Sequence, residues 1–117
     1  MRRMLFLLLV LAVVGLPLGG CGEPGVTKEQ QEAVAAAKEH LQRYGHYPPI
    51  VERVEVCEGE GVANRYWERF GQLPIESPPK YRCWIVRFYY PGLYEGSHLV
   101  VYVDKRSGEV IGGTQTR

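Results

Sequence analysis

The sequence predicts an α+β domain in which one N-terminal amphipathic helix packs on a four-stranded antiparallel meander sheet. Two observations predict this class. Apolar residues recur at helical spacing in one alanine-rich stretch, and the second half of the chain alternates apolar and polar side chains over several short runs. Because turn residues separate these runs, the strands are expected to pair in sequence order, with the helix covering one face of the sheet.

The helix is predicted over residues 28–44. Thr27 and Gln30 form a capping box, in which the threonine hydroxyl accepts from a backbone amide and the glutamine side chain reaches back. Apolar side chains then recur at helical spacing, at Val34, Ala37, Leu41 and Tyr44. Gly45 favours the conformation that ends a helix, and Pro48-Pro49 prevent its resumption.

Four strands are predicted after the helix, over residues 50–57, 81–90, 98–103 and 109–114. The second has the strongest alternation, with Trp84, Val86, Phe88 and Tyr90 on one face. Asp104 and Gly108 bound a tight hairpin connection between the last two strands. The side chains expected to fill the space between helix and sheet are Val34, Ala37, Leu41, Val54, Val56, Trp84, Val86 and Phe88.

The stretch 58–79 is predicted to be irregular, because glycines and prolines punctuate it. Within it, four apolar side chains lie at helical spacing, which is consistent with a short helix: Ala63, Tyr66, Trp67 and Phe70.

The first 21 residues have the order of a secretory signal. Arg2 and Arg3 precede an uncharged apolar run at residues 5–16, which is shorter than the ~20 residues of a membrane span. Leu18-Gly19-Gly20-Cys21 then resembles the lipobox of bacterial lipoproteins. The resemblance implies a lipoprotein signal peptide helix at residues 1–20, a diacylated Cys21 that becomes the new N-terminus, a lipid-anchored spacer at 21–26 and a domain at 27–117. The alternative is an ordinary secretory signal with a chance cysteine.

The lipobox resemblance also implies a location, the cell membrane or outer membrane, with the domain facing the periplasm or the exterior. Removal of residues 1–20 would leave 97 of the 117 residues, enough for one small domain. It also removes two of the 14 basic residues, so 12 remain against 13 acidic ones, a net charge of −1. Without a basic run, the composition disfavours a nucleic-acid partner.

Cys57 and Cys83 are predicted to form a disulfide, since an oxidising compartment favours pairing of the two remaining cysteines. The bond would enclose 25 residues and contribute about 3 kcal/mol by loop-closure entropy. Free thiols are the alternative. A metal site is disfavoured, because the three histidines have no zinc-like spacing to either cysteine.

The C-terminal half resembles the end of a PepSY-type domain. The resemblance is carried by the runs at 84–88, 98–104 and 107–111, in which Val103-Asp104 ends a strand and Ser107-Gly108-Glu109-Val110 turns into the next. It implies a non-catalytic module of the cell envelope, or of secreted protease precursors, that binds or restrains other proteins. Similar endings occur in cystatin-like α+β domains. The chain departs from the PepSY pattern in its long stretch 58–79 and in its two cysteines.

No catalytic motif is evident, and neither enzyme activity nor a cofactor is expected. The serines lie in loop-like settings beside proline or glycine, and no glycine-rich phosphate loop is present. Asp104 and Glu109 flank a turn and are explained by turn and strand-edge roles. The alternative function is a small ligand carrier or enzyme-like domain with a pocket between helix and sheet.

The aromatic residues outnumber what a core of this size is expected to bury. Tyrosine, tryptophan and arginine are enriched at protein interfaces, because they combine large area with a polar tip. The sequence therefore predicts a binding surface for an envelope protein or peptide, formed by Tyr66, Trp67, Arg69, Phe70, Tyr89, Tyr90 and Tyr94. The alternative is that the long connection folds over the open sheet face and buries most of these side chains itself.

Overall fold

The computed structural model describes residues 27–116 and contains one helix and one four-stranded sheet. The elements are α1 (Lys28–Arg43), β1 (Arg53–Val62), β2 (Lys80–Tyr89), β3 (His98–Asp104) and β4 (Val110–Thr116). The strands lie in sequence order and every neighbouring pair is antiparallel. The predicted α+β class and meander are therefore confirmed. The predicted signal peptide, spacer and lipidated Cys21 lie outside the described residues.

Helix α1 begins and ends close to the predicted residues. The hydroxyl of Thr27 accepts from the amide of Gln30 at 3.0 Å, as the capping box predicts. Gly45 follows the helix with φ +78°, a conformation that glycine adopts without strain. The buried stripe is Ala33, Ala37 and Leu41, whereas the predicted core residue Val34 is only half-buried. No helix within residues 27–116 is long and apolar enough to cross a membrane.

Strand β1 starts later and extends further than predicted, since it covers Arg53–Val62 rather than residues 50–57. Its glycines mark close packing instead of a loop. A Cβ on Gly61 would lie 2.7 Å from Cγ of Tyr102 and 2.9 Å from Sγ of Cys83. The ten-residue partner β2 pairs with β1 along its whole length, so the strand continues through both glycines.

The core lies between α1 and one face of the sheet. The pairing register sets side chains of three strands in rows, such as Val56 opposite Val86 and Val86 opposite Val101. Ala37 and Leu41 of the helix and these three valines are all fully buried. The space between helix and sheet is therefore filled by side chains, largely those that the sequence predicted.

The chain after β1 closes the outer edge of β4. The side-chain amide of Asn64 donates to the carbonyl of Gly113 at 3.0 Å, and its oxygen accepts from the Gly113 amide at 3.0 Å. The amide of Arg65 donates to the carbonyl of Ile111 at 2.9 Å. A Cβ on Gly112 would collide with the Val62 carbonyl, so glycine lets the two edges of the curled sheet approach each other.

The predicted Cys57–Cys83 disulfide is wrong, because Cys83 carries a free, fully buried thiol. In the register, Cys83 lies opposite Gly59 and Cys57 lies opposite Ile85. Such diagonal residues are roughly 7–8 Å apart, beyond the ~4 Å between Cβ atoms that a disulfide needs. Cys57 is itself disulfide-bonded. Burial raises the pKa of the Cys83 thiol.

The predicted hairpin connection between β3 and β4 is confirmed. Gly108 has φ +76° and its amide donates to the carbonyl of Asp104 at 2.8 Å. The carboxylate of Asp104 accepts from the amide of Arg106 and the hydroxyl of Ser107, each at 3.1 Å. Asp104 therefore has a structural role in the turn.

Candidate binding surface

Trp67, a predicted contact residue, belongs to the core. Its side chain is 2% exposed, and its indole N–H donates to the carbonyl of Val100 at 3.1 Å. A Cβ on Gly113 would collide with the indole, so the ring lies directly on the backbone of β4. The prediction that Trp67 binds a partner is therefore wrong for this conformation, because the core needs its area and its N–H group needs the carbonyl.

Phe70 is displayed at the surface next to the buried Trp67. The two rings are parallel to within 4°, with centroids 6.2 Å apart, and Tyr66 packs edge-on against both. Tyr66 is half-buried, whereas Phe70 is 49% exposed. One helical turn forms here, since the amide of Arg69 donates to the carbonyl of Arg65 at 3.0 Å, but it does not extend into the predicted short helix.

Arg69, also a predicted contact residue, shapes its own loop. Its guanidinium donates to the carbonyl of Leu73 at 2.9 Å, and the amide of Gln72 donates to the carbonyl of Arg69 at 2.8 Å. These bonds fold the segment that follows Phe70 into a turn. The half-buried side chain of Arg69 therefore supports the loop rather than extending towards a partner.

Tyr89 points to the sheet face opposite the helix, where it belongs to a polar network. Its hydroxyl donates to the carboxylate of Glu55 at 3.1 Å, and the guanidinium of Arg53 lies 3.9 Å from the ring centroid. The ring of His98 lies 4.7 Å away. Because Glu55 is buried and needs hydrogen-bond partners, Tyr89 has a structural role. It lies on a different face of the sheet from the other predicted contact residues.

Tyr90 and Tyr94 lie at the end of the sheet where β2 turns into β3. Tyr90 is half-buried and its hydroxyl accepts from the side-chain amide of Gln115 at 3.2 Å. Tyr94 is 63% exposed, and its carbonyl accepts from the hydroxyl of Ser97 at 2.7 Å. The backbone of this turn is thus fixed while the Tyr94 side chain is displayed.

The segment 45–50 joins the aromatic residues after β1 (Tyr66 and Phe70) and those after β2 (Tyr90 and Tyr94) into one surface. The sequence alone did not predict this surface. The ring of His46 lies 4.6 Å from that of Phe70. His46 also borders a groove of about 250 Å³ that reaches the second group, lined by Gly45, His46, Tyr47, Pro48, Pro49, Tyr90, Leu99 and Gln115. A hollow of about 80 Å³ follows, lined by Pro48, Pro49, Ile50, Tyr90 and Pro91. We call Phe70, residues 46–50 and residues 90–94 the aromatic end.

The aromatic end is apolar and weakly charged. Among residues 27–116, no carboxylate, ammonium or guanidinium group lines its groove or its hollow, and the Lys38 ammonium lies 5.4 Å from the centroid of the Tyr47 ring. Burial raises the pKa of Tyr47, so its hydroxyl stays protonated and able to donate. Ile50 is 60% and Leu93 87% exposed, so large apolar side chains stand in water here. The signal in the sequence is Pro48-Pro49 beside Tyr47, a pattern that also prevents the helix from resuming.

A second groove, of about 370 Å³, lies beside the last turn of α1. His40 faces Glu68 across it, with 3.5 Å between Nε2 and the carboxylate, and the other carboxylate oxygen accepts from Arg65 at 2.9 Å. Burial lowers the pKa of His40, against the opposing effect of Glu68. Nε2 of His40 is itself buried, and the pair joins helix α1 to the connection after β1.

Within residues 27–116, no group of three or more histidine, cysteine, aspartate or glutamate side chains is placed to hold a metal ion. Comparisons of the chain with protein-family models, with curated proteins and with solved structures found no match.

Proposed function

We propose that the protein is a membrane-tethered extracytoplasmic lipoprotein whose domain binds a protein or peptide of the cell envelope without catalysis. The observation that carries the binding role is the aromatic end. Exposed Ile50 borders its hollow, exposed Phe70 contacts His46 of its groove, and Leu93 and Tyr94 are exposed in the turn after Tyr90. Exposed apolar side chains grouped in this way are typical of interaction sites. The tether is proposed from the lipobox at Cys21, and the class of module from the PepSY-like C-terminal half.

The position of the aromatic end suits a tethered binding module. Helix α1 has 16 residues, so it separates its two ends by about 24 Å at 1.5 Å per residue. The proposed lipid precedes the first end, at Thr27, and residues 46–50 follow the second. The proposed anchor and residues 46–50 of the aromatic end therefore follow opposite ends of α1 along the chain.

The alternative of a carrier or enzyme-like pocket between helix and sheet has less support. Leu41, Val86 and Val101 are fully buried at that interface and fill it. The grooves described above lie at the rim of the domain. A binding role that uses the surface needs no internal cavity, so it is the function that this arrangement favours.

The anchor is tested by replacing Cys21 with serine in the full-length precursor and labelling cells with a radioactive fatty acid. We expect the wild type to carry label and to fractionate with membranes, and Cys21→Ser to lose both. The sulfur of Cys21 cannot hold a lipid and a disulfide together. Mass spectrometry that found Cys21 joined to Cys57, with no lipid, would therefore contradict the anchor.

The binding role is tested by photo-crosslinking in intact cells, with a benzophenone amino acid at position 70 or at position 81. Phe70 and Tyr81 are matched, since they are 49% and 47% exposed, but Tyr81 lies at the opposite end of β2 from Tyr89. We expect a discrete crosslinked product from position 70 and none from position 81. Products from position 81 alone, or from neither, would remove the aromatic end as the contact surface.

A further inference from the structure

The aromatic end contains two depressions that adjoin each other. The groove of about 250 Å³ and the hollow of about 80 Å³ share the wall formed by Pro48, Pro49 and Tyr90. Phe70 adjoins the groove through His46, since the centroids of the two rings lie 4.6 Å apart. A ligand that contacts Phe70 and fills both depressions must therefore extend over several residues.

The wall of these depressions offers few backbone donors. Pro48 and Pro49 have no N–H group, and the amides of Gly45, His46 and Tyr90 already donate to carbonyls of the domain. An added β-strand needs a regular row of N–H and C=O groups with which to pair, and two consecutive prolines interrupt such a row. The occupant is therefore expected to bind through its side chains and carbonyls rather than through a strand ladder.

Charge and hydrogen bonding also restrict the occupant. Among the described residues no carboxylate lines either depression, and the Lys38 ammonium lies 5.4 Å from the centroid of the Tyr47 ring, so a basic segment finds no ion pair here. Tyr47 keeps its hydroxyl proton, because burial raises the pKa of Tyr47. The Tyr90 hydroxyl accepts from Gln115 at 3.2 Å, which leaves its own proton to donate. These two donors suit an uncharged segment with free carbonyl groups.

We propose that the aromatic end binds an uncharged, proline-rich segment of the partner protein in the polyproline II conformation. The inference rests on the proposed binding function and names the class of segment. A polyproline II helix has no internal hydrogen bonds, so its carbonyls are free to accept from the two tyrosines. Its turns of three residues repeat about every 9 Å, so successive turns place one proline ring in the groove and the next in the hollow. Grooves lined by aromatic rings are a common receptor for such segments.

The first test uses two synthetic peptides as probes. Decaproline with blocked ends is uncharged and forms a polyproline II helix, whereas (Gly-Ser)5 with blocked ends has the same length and charge but is flexible. Each carries the same fluorescent label, and its binding to the purified protein is measured by anisotropy. We expect decaproline to bind and (Gly-Ser)5 to remain unbound at the same protein concentrations. Equal binding of the two peptides, or no binding of decaproline, would overturn the inference.

A matched pair of hydroxyl deletions locates the site. Tyr47→Phe removes one donor of the groove and keeps the ring that packs edge-on against Phe88. Tyr81→Phe removes a hydroxyl from an exposed ring at the other end of β2. We expect Tyr47→Phe to weaken decaproline binding about three- to tenfold, the range of one hydrogen bond, with its unfolding midpoint nearly unchanged, and Tyr81→Phe to bind like the wild type. Unchanged affinity in Tyr47→Phe would overturn the assignment to this groove.

Crosslinking separates this inference from the proposed function. In membranes isolated from cells with a benzophenone amino acid at position 70, excess decaproline should suppress the crosslinked product and (Gly-Ser)5 should not. A discrete product that decaproline leaves unchanged would overturn the proline-rich segment and leave the proposed function standing. The absence of any product from position 70 would overturn both.

Two other occupants of the aromatic end are decided by the variant that carries both Phe70→Ala and Ile50→Ala. In the Cys21→Ser background, vesicles of phosphatidylethanolamine and phosphatidylglycerol that bind the protein but not this variant would assign the surface to lipid. A wild-type protein that sediments as a dimer, and a variant that sediments as a monomer, would assign the surface to a second copy of the chain. Either result would overturn the assignment to a proline-rich segment.

Discussion

Two consecutive six-residue segments of the connection between β1 and β2 each contain an arginine and at least one aromatic residue, but they have opposite roles. Residues 63–68, the anchoring half, contain Trp67, which is 2% exposed and bonds to the backbone of β3. Residues 69–74, the display half, contain Phe70, which is 49% exposed although its ring lies parallel to that of Trp67. Residues 63–68 hydrogen-bond to the outer edge of β4, and residues 69–74 do not. The difference teaches that contact with this edge, and not aromatic content, decides which part of the connection is buried.

The largest effect is expected at the centre of the anchoring half. Trp67→Ala removes a buried indole and leaves a cavity against Gly113, which should lower the free energy of unfolding by about 3–5 kcal/mol. Denaturant unfolding of the purified domain measures the loss. A variant that unfolds within about 1 kcal/mol of wild type but loses partner binding would place Trp67 on the contact surface after all.

A smaller loss is expected for Asn64→Ala. This change removes both hydrogen bonds to Gly113 and leaves a strand amide and a carbonyl without partners, which costs about 1–3 kcal/mol. Asn64→Asp is a second variant. It keeps an acceptor for the Gly113 amide but sets a carboxylate oxygen against the Gly113 carbonyl, so it should also lower the free energy of unfolding. If both variants unfold like the wild type, the hydrogen bonds between Asn64 and Gly113 do not hold the anchoring half in place.

A third effect is a pH dependence of stability through His40. Burial holds the pKa of His40 below its ordinary value of 6.5, so the folded state favours the neutral ring. The stability from this group is present above pH 6.5 and is lost as the pH falls through the lowered pKa. His40→Gln should flatten unfolding free energies measured between pH 7.5 and 5, whereas His98→Gln, away from the connection, should not. Equal slopes in wild type and His40→Gln would contradict this.

The smallest effect on stability is expected in the display half. Phe70→Ala removes a half-exposed ring that stacks on its neighbours, and the unfolding free energy should change by less than about 1 kcal/mol. Thermal unfolding checks this value. A loss as large as that of Trp67→Ala would mean that the two halves do not differ and that the connection is structural throughout.

The sequence predicted the parts of the fold that depend on local pattern. Thr27, Gly45 and Gly108 act through nearby backbone, and the alternation from Trp84 to Phe88 reports one strand, so these features were found. Of the residues predicted to bind a partner, Phe70, Tyr90 and Tyr94 belong to the aromatic end, whereas Trp67 is buried. That the aromatic end binds a partner stays a prediction.

The rest depended on distant contacts. Whether Trp67 is buried depends on Gly113 and Val100 of other strands, and whether Cys57 meets Cys83 depends on a register offset of two residues. Neither the contacts of Trp67 nor the register of β1 against β2 can be read from composition and spacing. The groove beside Tyr47 was missed for the same reason, since its opposite wall is formed by Tyr90 and Gln115.

The central claim is that the display half and the aromatic end bind the partner, while the anchoring half only holds them in place. The most direct measurement is partner capture per folded molecule, for the variant that carries both Phe70→Ala and Ile50→Ala and for the matched Tyr81→Ala. The account predicts that the double variant loses at least about fivefold in capture, the equivalent of ~1 kcal/mol, with its unfolding midpoint nearly unchanged, and that Tyr81→Ala binds like the wild type. Undiminished capture by the folded double variant would contradict it.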